Sequence, residues 1–416
     1  MDGLVRIEPF DWQKPLVKAV SAGLINFRLF ISGFPTGSGK TVISLASAAE
    51  LGNPHLIVAP KVALTQWRRV AESMGCSDLL VDVINPEKIS KPSGCQYYTR
   101  DGKWKLPPGT TVVWDEPHRS ASGMDSISTR AMAELRAYKG VRLHAMSATL
   151  ADSPLKLRAL GWWAGLHRFN DESFNQWCGK HGCSMQFVDK YKIRRQFRFT
   201  ASPEEALVAM ANIRKEFGDR FLSLRADDIP GFPTETIEVK LIDLEDRDRE
   251  EIDTALREMS ARLKSKAKSD MAEIGRERER VEWLMTNVVA EQACAYAAEG
   301  NSVVVFFNFT SPRVRFEREV AALGGATVSI HGGQDDEERQ RGIDAFQANR
   351  IHICAVMAEA GGAALSLHDE LKQRPRVSLI MPSWNSSTVK QCFGRTRRCN
   401  GTHATQFMVL AAGTIQ

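Results

Sequence analysis

The chain has 416 residues, 43% hydrophobic and 25% charged, with a net charge of +5. That length predicts two domains or more, and the composition is that of an ordinary soluble globular protein. No run of about 18 apolar residues occurs, which argues against a transmembrane helix.

The opening MDGLVRIEPFDWQK has no signal-peptide apolar core, so a cytoplasmic location is expected. The small positive excess suits a polyanion partner but does not require one. Eight cysteines are scattered without framework spacing, as expected of reduced thiols. Cys178, His181 and Cys183 in WCGKHGCS offer soft ligands for a zinc site, or are ordinary loop and core thiols; no fourth ligand is evident nearby.

An apolar run from Leu24 to Ser32, with Phe27, Leu29, Phe30 and Ile31, reads as a strand. FPTGSGKT, Phe34 to Thr41, follows it, and TVISLASAAEL then shows helical spacing. Strand, glycine-rich loop and helix together make an anion cradle. Thr36, Gly37, Ser38 and Gly39 supply the loop. Lys40 reaches the β- and γ-phosphates, and the Thr41 hydroxyl binds Mg²⁺. The strict pattern wants Gly where this chain has Phe34.

Three further apolar runs, HLIVAP, TVVWDE and RLHAMSAT, alternate with helix-like segments. Their loaded ends, APK, DEPH and SAT, join PTGSGKT. Continuous apolar strands of this kind predict an α/β parallel sheet with its ligand at the strand carboxyl ends. Asp115 and Glu116 close TTVVWDE: Asp115 is the metal ligand and Glu116 the general base. Ser147 and Thr149 follow the next run, either linking the phosphate site to a nucleic-acid side or capping a helix.

QYYTRDGKWKL reads as a hairpin about Asp101-Gly102. Its face of Tyr97, Tyr98, Arg100, Lys103, Trp104 and Lys105 is a nucleic-acid-facing ribbon or a solvated surface hairpin. LKLRALGWWAGL is an amphipathic helix. KYKIRRQFRF, with Lys192, Arg194 and Arg195, tracks a phosphate backbone or forms a half-buried edge strand. DIPGFPTE looks like a linker, which gives domains 1–232, with a helical and basic extension at 151–232, and 233–416. The second domain opens with the strand TIEVKLIDL. It carries a charged helical insertion at about 245–299, then a second alternating series from SVVVFFNF to TQFMVLAA. QCFGRTRR follows the pattern Q-x-x-G-R-x-x-R through Gln391, Gly394, Arg395 and Arg398. On a helix the two arginines share a face and act as fingers on a γ-phosphate, or form a basic surface helix.

These blocks, in this order, resemble the superfamily-2 helicases and translocases, with two tandem RecA-like domains. Gln13 in PFDWQKPLVKAV resembles the adenine-reading glutamine. PTGSGKT, APKVALTQW, DEPH, SAT, VVVFFNF, AEAGGAALSL and QCFGRTRR resemble motifs I, Ia, II, III, IV, V and VI. Within the superfamily the chain is most similar to Swi/Snf-type ATPases, especially short phage or prokaryotic members. AGGAALSL, FLSLRADDIPGFPTETIEVKL and SATLADSPLKLRALGWWAGL carry that likeness. DEPH in place of DEGH or DEAH, and SAT in place of the group's usual motif III, depart from it toward DEAD- and DEAH-type helicases.

The resemblance implies ATP and Mg²⁺ between the two domains, with Gly362 of motif V on the nucleotide side and Gln391 among the catalytic residues. It implies an ATP-driven motor, a helicase or translocase on double-stranded or branched DNA, acting as a monomer. Backbone contacts are expected from Lys61 and Gln66 of motif Ia and from the basic segment. An RNA helicase and a non-catalytic nucleic-acid scaffold are the rival readings.

Overall fold

A computed structural model describes residues 6–91, 95–121, 126–148, 150–187, 195–265, 270–358 and 365–414. The chain forms two compact units, Met1–Pro230 and Gly231–Gln416.

The first unit opens with α1 (Lys14–Phe27), so the apolar residues Leu24 to Phe27 are helical and do not belong to the expected strand. Arg28, at φ 60°, turns the helix into β1 (Leu29–Gly33). There follow α2 (Lys40–Leu51), β2 (His55–Val58), α3 (Leu64–Ser73), β3 (Leu80–Ile84), α4 (Pro86–Ser90) and β4 (Thr111–Asp115). Next come α5 (Pro117–Ser120), α6 (Ile127–Glu134), β5 (Arg142–Met146), α7 (Arg158–Ala164) and α8 (Asp171–Lys180). The unit ends with β6 (Cys183–Phe187), β7 (Arg195–Phe199), α9 (Pro203–Phe217) and β8 (Phe221–Ser223).

Six strands pair in parallel in the order β3-β2-β4-β5-β1-β8. Alternate strand residues feed opposite faces. Leu29, Ile31, Val112, Trp114 and Leu143 join one core, while Phe30 packs with Val17, Val20, Leu24, Phe34 and Ile43 on the other. The segment after β5 is therefore not a pure appendage. β6 and β7 pair with each other antiparallel, and β8 returns to the sheet beside β1.

The Asp101-Gly102 turn forms, with Gly102 at φ 80° and Tyr98 bridged to Trp104. Its aromatic face points inward. Tyr98 and Trp104 are buried, and the Trp104 indole N–H donates to the Ala131 carbonyl at 2.8 Å. These rings hold the hairpin down and offer no stacking platform.

The second unit contains β9 (Glu235–Ile242), α10 (Asp246–Ser265), α11 (Asp270–Ala298), β10 (Ser302–Phe307), α12 (Thr310–Ala322) and β11 (Thr327–Ile330). It continues with α13 (Asp336–Gln347), β12 (Ile353–Met357), β13 (Arg376–Ile380), α14 (Ser386–Thr396) and β14 (Ala404–Ala411). Its strands are parallel in the order β11-β12-β10-β13-β14-β9. Val303, Val305 and Phe307 face one core and Val304 and Phe306 the other, so this sheet too is covered on both faces. The charged stretch near 245–299 folds as α10 and α11, whose apolar residues Ile252, Met259, Met285 and Val289 are buried.

Candidate nucleotide site

The loop between β1 and α2 takes the shape its glycines permit. Gly37 and Gly39 lie at φ 85° and 76°, where a Cβ is disfavoured. A Cβ on Gly39 would also stand 2.5 Å from the Gln13 side-chain nitrogen. Phe34, the odd residue of the loop, is fully buried among Val17, Val20, Leu24 and Ile43. Its ring anchors the start of the loop to α1, a task Gly or Ala cannot perform. The Lys40 ammonium donates to the Phe34 and Pro35 carbonyls at 3.1 and 3.3 Å. Ser38 is buried, and its hydroxyl has no partner among the described residues. Thr36 and Gly37 form the turn closed by the Ser38 N–H on the Pro35 carbonyl, and Thr41 lies half-buried in the first turn of α2. A lysine ammonium, a buried hydroxyl without a partner among the described residues and two left-handed glycines at a helix start fit a phosphate group.

Gln13 lies against this loop. Its amide nitrogen donates to the Ser38 carbonyl at 2.8 Å, and its amide oxygen accepts from the Phe10 N–H at 2.9 Å. The amide nitrogen braces the loop, and the oxygen holds Gln13 to its own turn at Phe10.

β4 and β5 bring the carboxylate pair and the serine together. Asp115 closes β4 and accepts from the Trp67 indole at 3.4 Å. Glu116 follows at φ 51°, a left-handed backbone rare outside Gly and Asn. Pro117 occupies the first position of α5, where a missing N–H costs nothing. The Glu116 N–H donates to the Met146 carbonyl at 2.8 Å, locking the turn to β5. Ser147, directly after β5, donates its hydroxyl to Glu116 Oε2 at 2.8 Å. His118 Nδ1 lies 3.0 Å from the Ser147 oxygen and 3.3 Å from Glu116 Oε2. Burial holds the His118 pKa below its ordinary value. A neutral imidazole protonated on Nδ1 satisfies the group: His118 donates to Ser147, and Ser147 donates to Glu116. Ser147, read from the sequence as a link between the phosphate site and a nucleic-acid side, is buried and bonds to the carboxylate.

Behind this cluster lies His144 of β5. Its ring nitrogens contact the Ser32 hydroxyl of β1 at 2.8 Å and the Ser44 hydroxyl of α2 at 3.1 Å. Full burial pushes its pKa down to about 3. The strand leading to the loop, the helix leaving it and the strand carrying Ser147 are thereby joined.

In the second unit α14 ends at Thr396, so Arg395 is helical and Arg398 is not. The expected shared helix face is wrong. The arginines converge by another route: both donate to the Leu365 carbonyl, Arg395 at 3.5 Å. Burial, and after it the Arg395 cation, push the Arg398 pKa down to about 9. Arg397, between them, pairs with Glu235 at 2.5 Å and donates to the Pro233 carbonyl at 2.7 Å. It ties this segment to the start of β9. Gln391 is half-buried on α14.

A family described as the helicase conserved C-terminal domain matches residues 282–400, the stretch from α11 through QCFGRTRR. A protein named as an ATP-dependent RNA helicase, from Acanthamoeba polyphaga mimivirus, is 26% identical over 428 residues, covering 94% of this chain and 76% of its own. S. cerevisiae Dbp5 bound to RNA and ADP BeF3 superposes with a TM-score of 0.51 at 12% identity, covering 97% of this chain and 90% of that one. The sequence matches are to helicases, and the family match lies within the second unit. The two parallel-sheet units of this chain are tandem RecA-like domains. The Sulfolobus solfataricus SWI2/SNF2 ATPase core in complex with dsDNA superposes at a TM-score of 0.40 and 12% identity, covering 99% of this chain and 90% of that one.

Of the residues expected on the nucleic acid, Lys61 is exposed just beyond β2, and Gln66 is half-buried on α3. Arg195 is exposed at the start of β7 with its guanidinium 4.6 Å from the Phe187 ring centroid. Thr149, Lys192, Arg194 and Gly362 lie outside the described residues. Cys178 and Cys183 face each other across the end of α8, the shared thiol proton holding Cys183 low. His181 pairs with Glu216 at 3.2 Å. Sequence reading missed His118 and His144; the signal for His144 was a lone polar side chain inside the apolar run RLHAM. It also missed Glu282, buried on α11, which accepts from the Asn308 N–H at 2.8 Å and whose pKa burial pushes up to about 7. Nothing in GRERERVEW sets that one carboxylate apart.

Proposed function

We propose that this ATP-dependent helicase-type motor acts on DNA, and on the duplex in particular. The observation that carries the motor reading is the His118–Ser147–Glu116 chain, which couples the carboxylate that activates water to the strand end behind it. Lys40 binds the β- and γ-phosphates. Glu116 takes a proton from the attacking water, and Arg395 with Arg398 stabilises charge on the transferred phosphoryl group. Thr41 and Asp115 hold Mg²⁺, which neutralises developing phosphate charge when bound. Lys61, Gln66 and Arg195 grip the sugar–phosphate backbone, so binding is sequence-independent and salt-sensitive.

The Swi/Snf-like segments of the sequence support duplex DNA. RNA is the second reading, supported by the name of the mimivirus relative and by the SAT motif. ATP turnover measured with duplex DNA, single-stranded DNA and RNA separates them. The expected result is strongest stimulation by duplex DNA. Stimulation by RNA alone replaces the DNA reading, and indifference to all three removes the motor reading.

A further inference from the structure

The rim of the first sheet opposite the phosphate loop is rich in arginine. Arg28 immediately precedes β1, Arg142 opens β5 and Arg220 immediately precedes β8. The β1–β5 register pairs Leu29 with Leu143, which sets Arg28 beside Arg142. Arg136 sits in the turn before β5, and its carbonyl accepts from the Arg28 guanidinium at 3.3 Å. Burial, and then the cations of Arg136 and Arg142, hold the Arg28 pKa below its ordinary value; burial and Arg220 do the same to Arg136.

Among the described residues none of these four guanidinium groups pairs with a carboxylate. Backbone carbonyls and rings position them instead. Arg28 donates to the Tyr138 carbonyl at 2.5 Å and to that of Val141 at 2.9 Å, and Arg142 to that of Gly109 at 3.3 Å. Arg136 lies 4.2 Å from the Trp162 ring centroid and Arg220 4.8 Å from that of Phe27. Carbonyls orient a cation but leave its net charge uncancelled. Arg136 also lines an open cavity of about 550 Å³, with Arg130, Trp162 and Phe169 on its walls. Glu134 lines it too, within no ion-pair distance of an arginine.

We propose that this rim and cavity form a second phosphate-binding face that takes the backbone of a nucleic-acid strand, away from the phosphate loop. The choice of polyanion rests on the motor reading above. Guanidinium forks match phosphate oxygens in pairs, and half-buried Trp162 and Phe169 line the cavity beside them.

The test is titration of the full chain with fluorescently labelled duplex and single-stranded DNA at several salt concentrations. Arg130 and Arg220 make no side-chain hydrogen bond among the described residues, so Arg130→Gln/Arg220→Gln removes charge with little loss of structure. Affinity is expected to fall roughly tenfold, and the slope of log affinity against log salt to flatten by about two. Turnover without nucleic acid stays unchanged, and Arg130→Lys/Arg220→Lys restores binding. Should the double variant melt early, Arg130→Gln alone is expected to flatten the slope by about one. Unchanged affinity and slope overturn the proposal. So does a polyglutamate chain that displaces the DNA as well as heparin does, which assigns the rim to an acidic protein segment. A chain whose ATPase ignores nucleic acid refutes the motor reading, while the titration still reads this rim.

Discussion

Ser147 shows how one hydroxyl positions the carboxylate proposed above as the general base. It donates to Glu116 Oε2 and accepts from His118, so its removal takes one donor from the carboxylate and leaves only the His118 Nδ1–H, 3.3 Å away, to face it. A hydrogen bond to a charged group is worth about 1.5–3 kcal/mol. Ser147→Ala should therefore lower kcat roughly 10- to 100-fold, with the KM for ATP little changed, because Lys40 and the loop are untouched. Steady-state phosphate release checks this, and an unaltered kcat removes Ser147 as the residue that positions Glu116. The placement of Lys40 at a helix start and of Asp115 and Glu116 at a strand end was legible because each lies in a short contiguous motif. The partner of Ser147 was not, since it depends on the register between β4 and β5. Arg398 failed for a related reason: spacing of three means a shared face only while the helix lasts, and α14 ends at Thr396.

His144 works at the scale of the element, holding β1, α2 and β5 at one point. Its ordinary pKa of 6.5 falls to about 3 in the fold because a charge there has no water. Between those values the unfolded chain binds a proton that the folded chain refuses. The stabilisation from neutral His144 is thus fully present above pH 6.5 and is lost as pH falls from there toward about 3. His55, with its pKa near 4, adds a loss of the same sign in the same unit. His144→Gln, which cannot titrate, should show a shallower acid loss, by about 1.4 kcal/mol per pH unit between pH 6 and 4. Urea unfolding across that window measures it, and parallel slopes for the two proteins exclude His144 as the source. The strands themselves were readable from apolar runs. The switch from helix to strand at Arg28 was not, because Leu24 to Phe27 are as apolar as the strand that follows.

At the scale of the whole molecule, the division follows from where the cores close. Each unit carries its own pair of hydrophobic clusters, one on either face of its sheet. β9, the first strand after the boundary, pairs along its whole length with β14, the last strand of the chain. The start and end of the second unit are thus stitched together, and the Arg397–Glu235 pair with Arg397 on the Pro233 carbonyl fastens the entry point. A fragment spanning residues 231–416 should consequently fold alone, with one cooperative thermal transition. Glu235 also accepts from Gln406 at 2.5 Å, so Glu235→Ala strands two donors at a half-buried site. A cost of about 1–3 kcal/mol is expected, with the midpoint lowered by roughly 2–4 °C for each kcal/mol. Calorimetry of the fragment and its variant reads both quantities. A broad, non-cooperative transition in the unmodified fragment would mean that the second sheet needs the first unit to form, and that the β9–β14 pairing does not close a domain by itself.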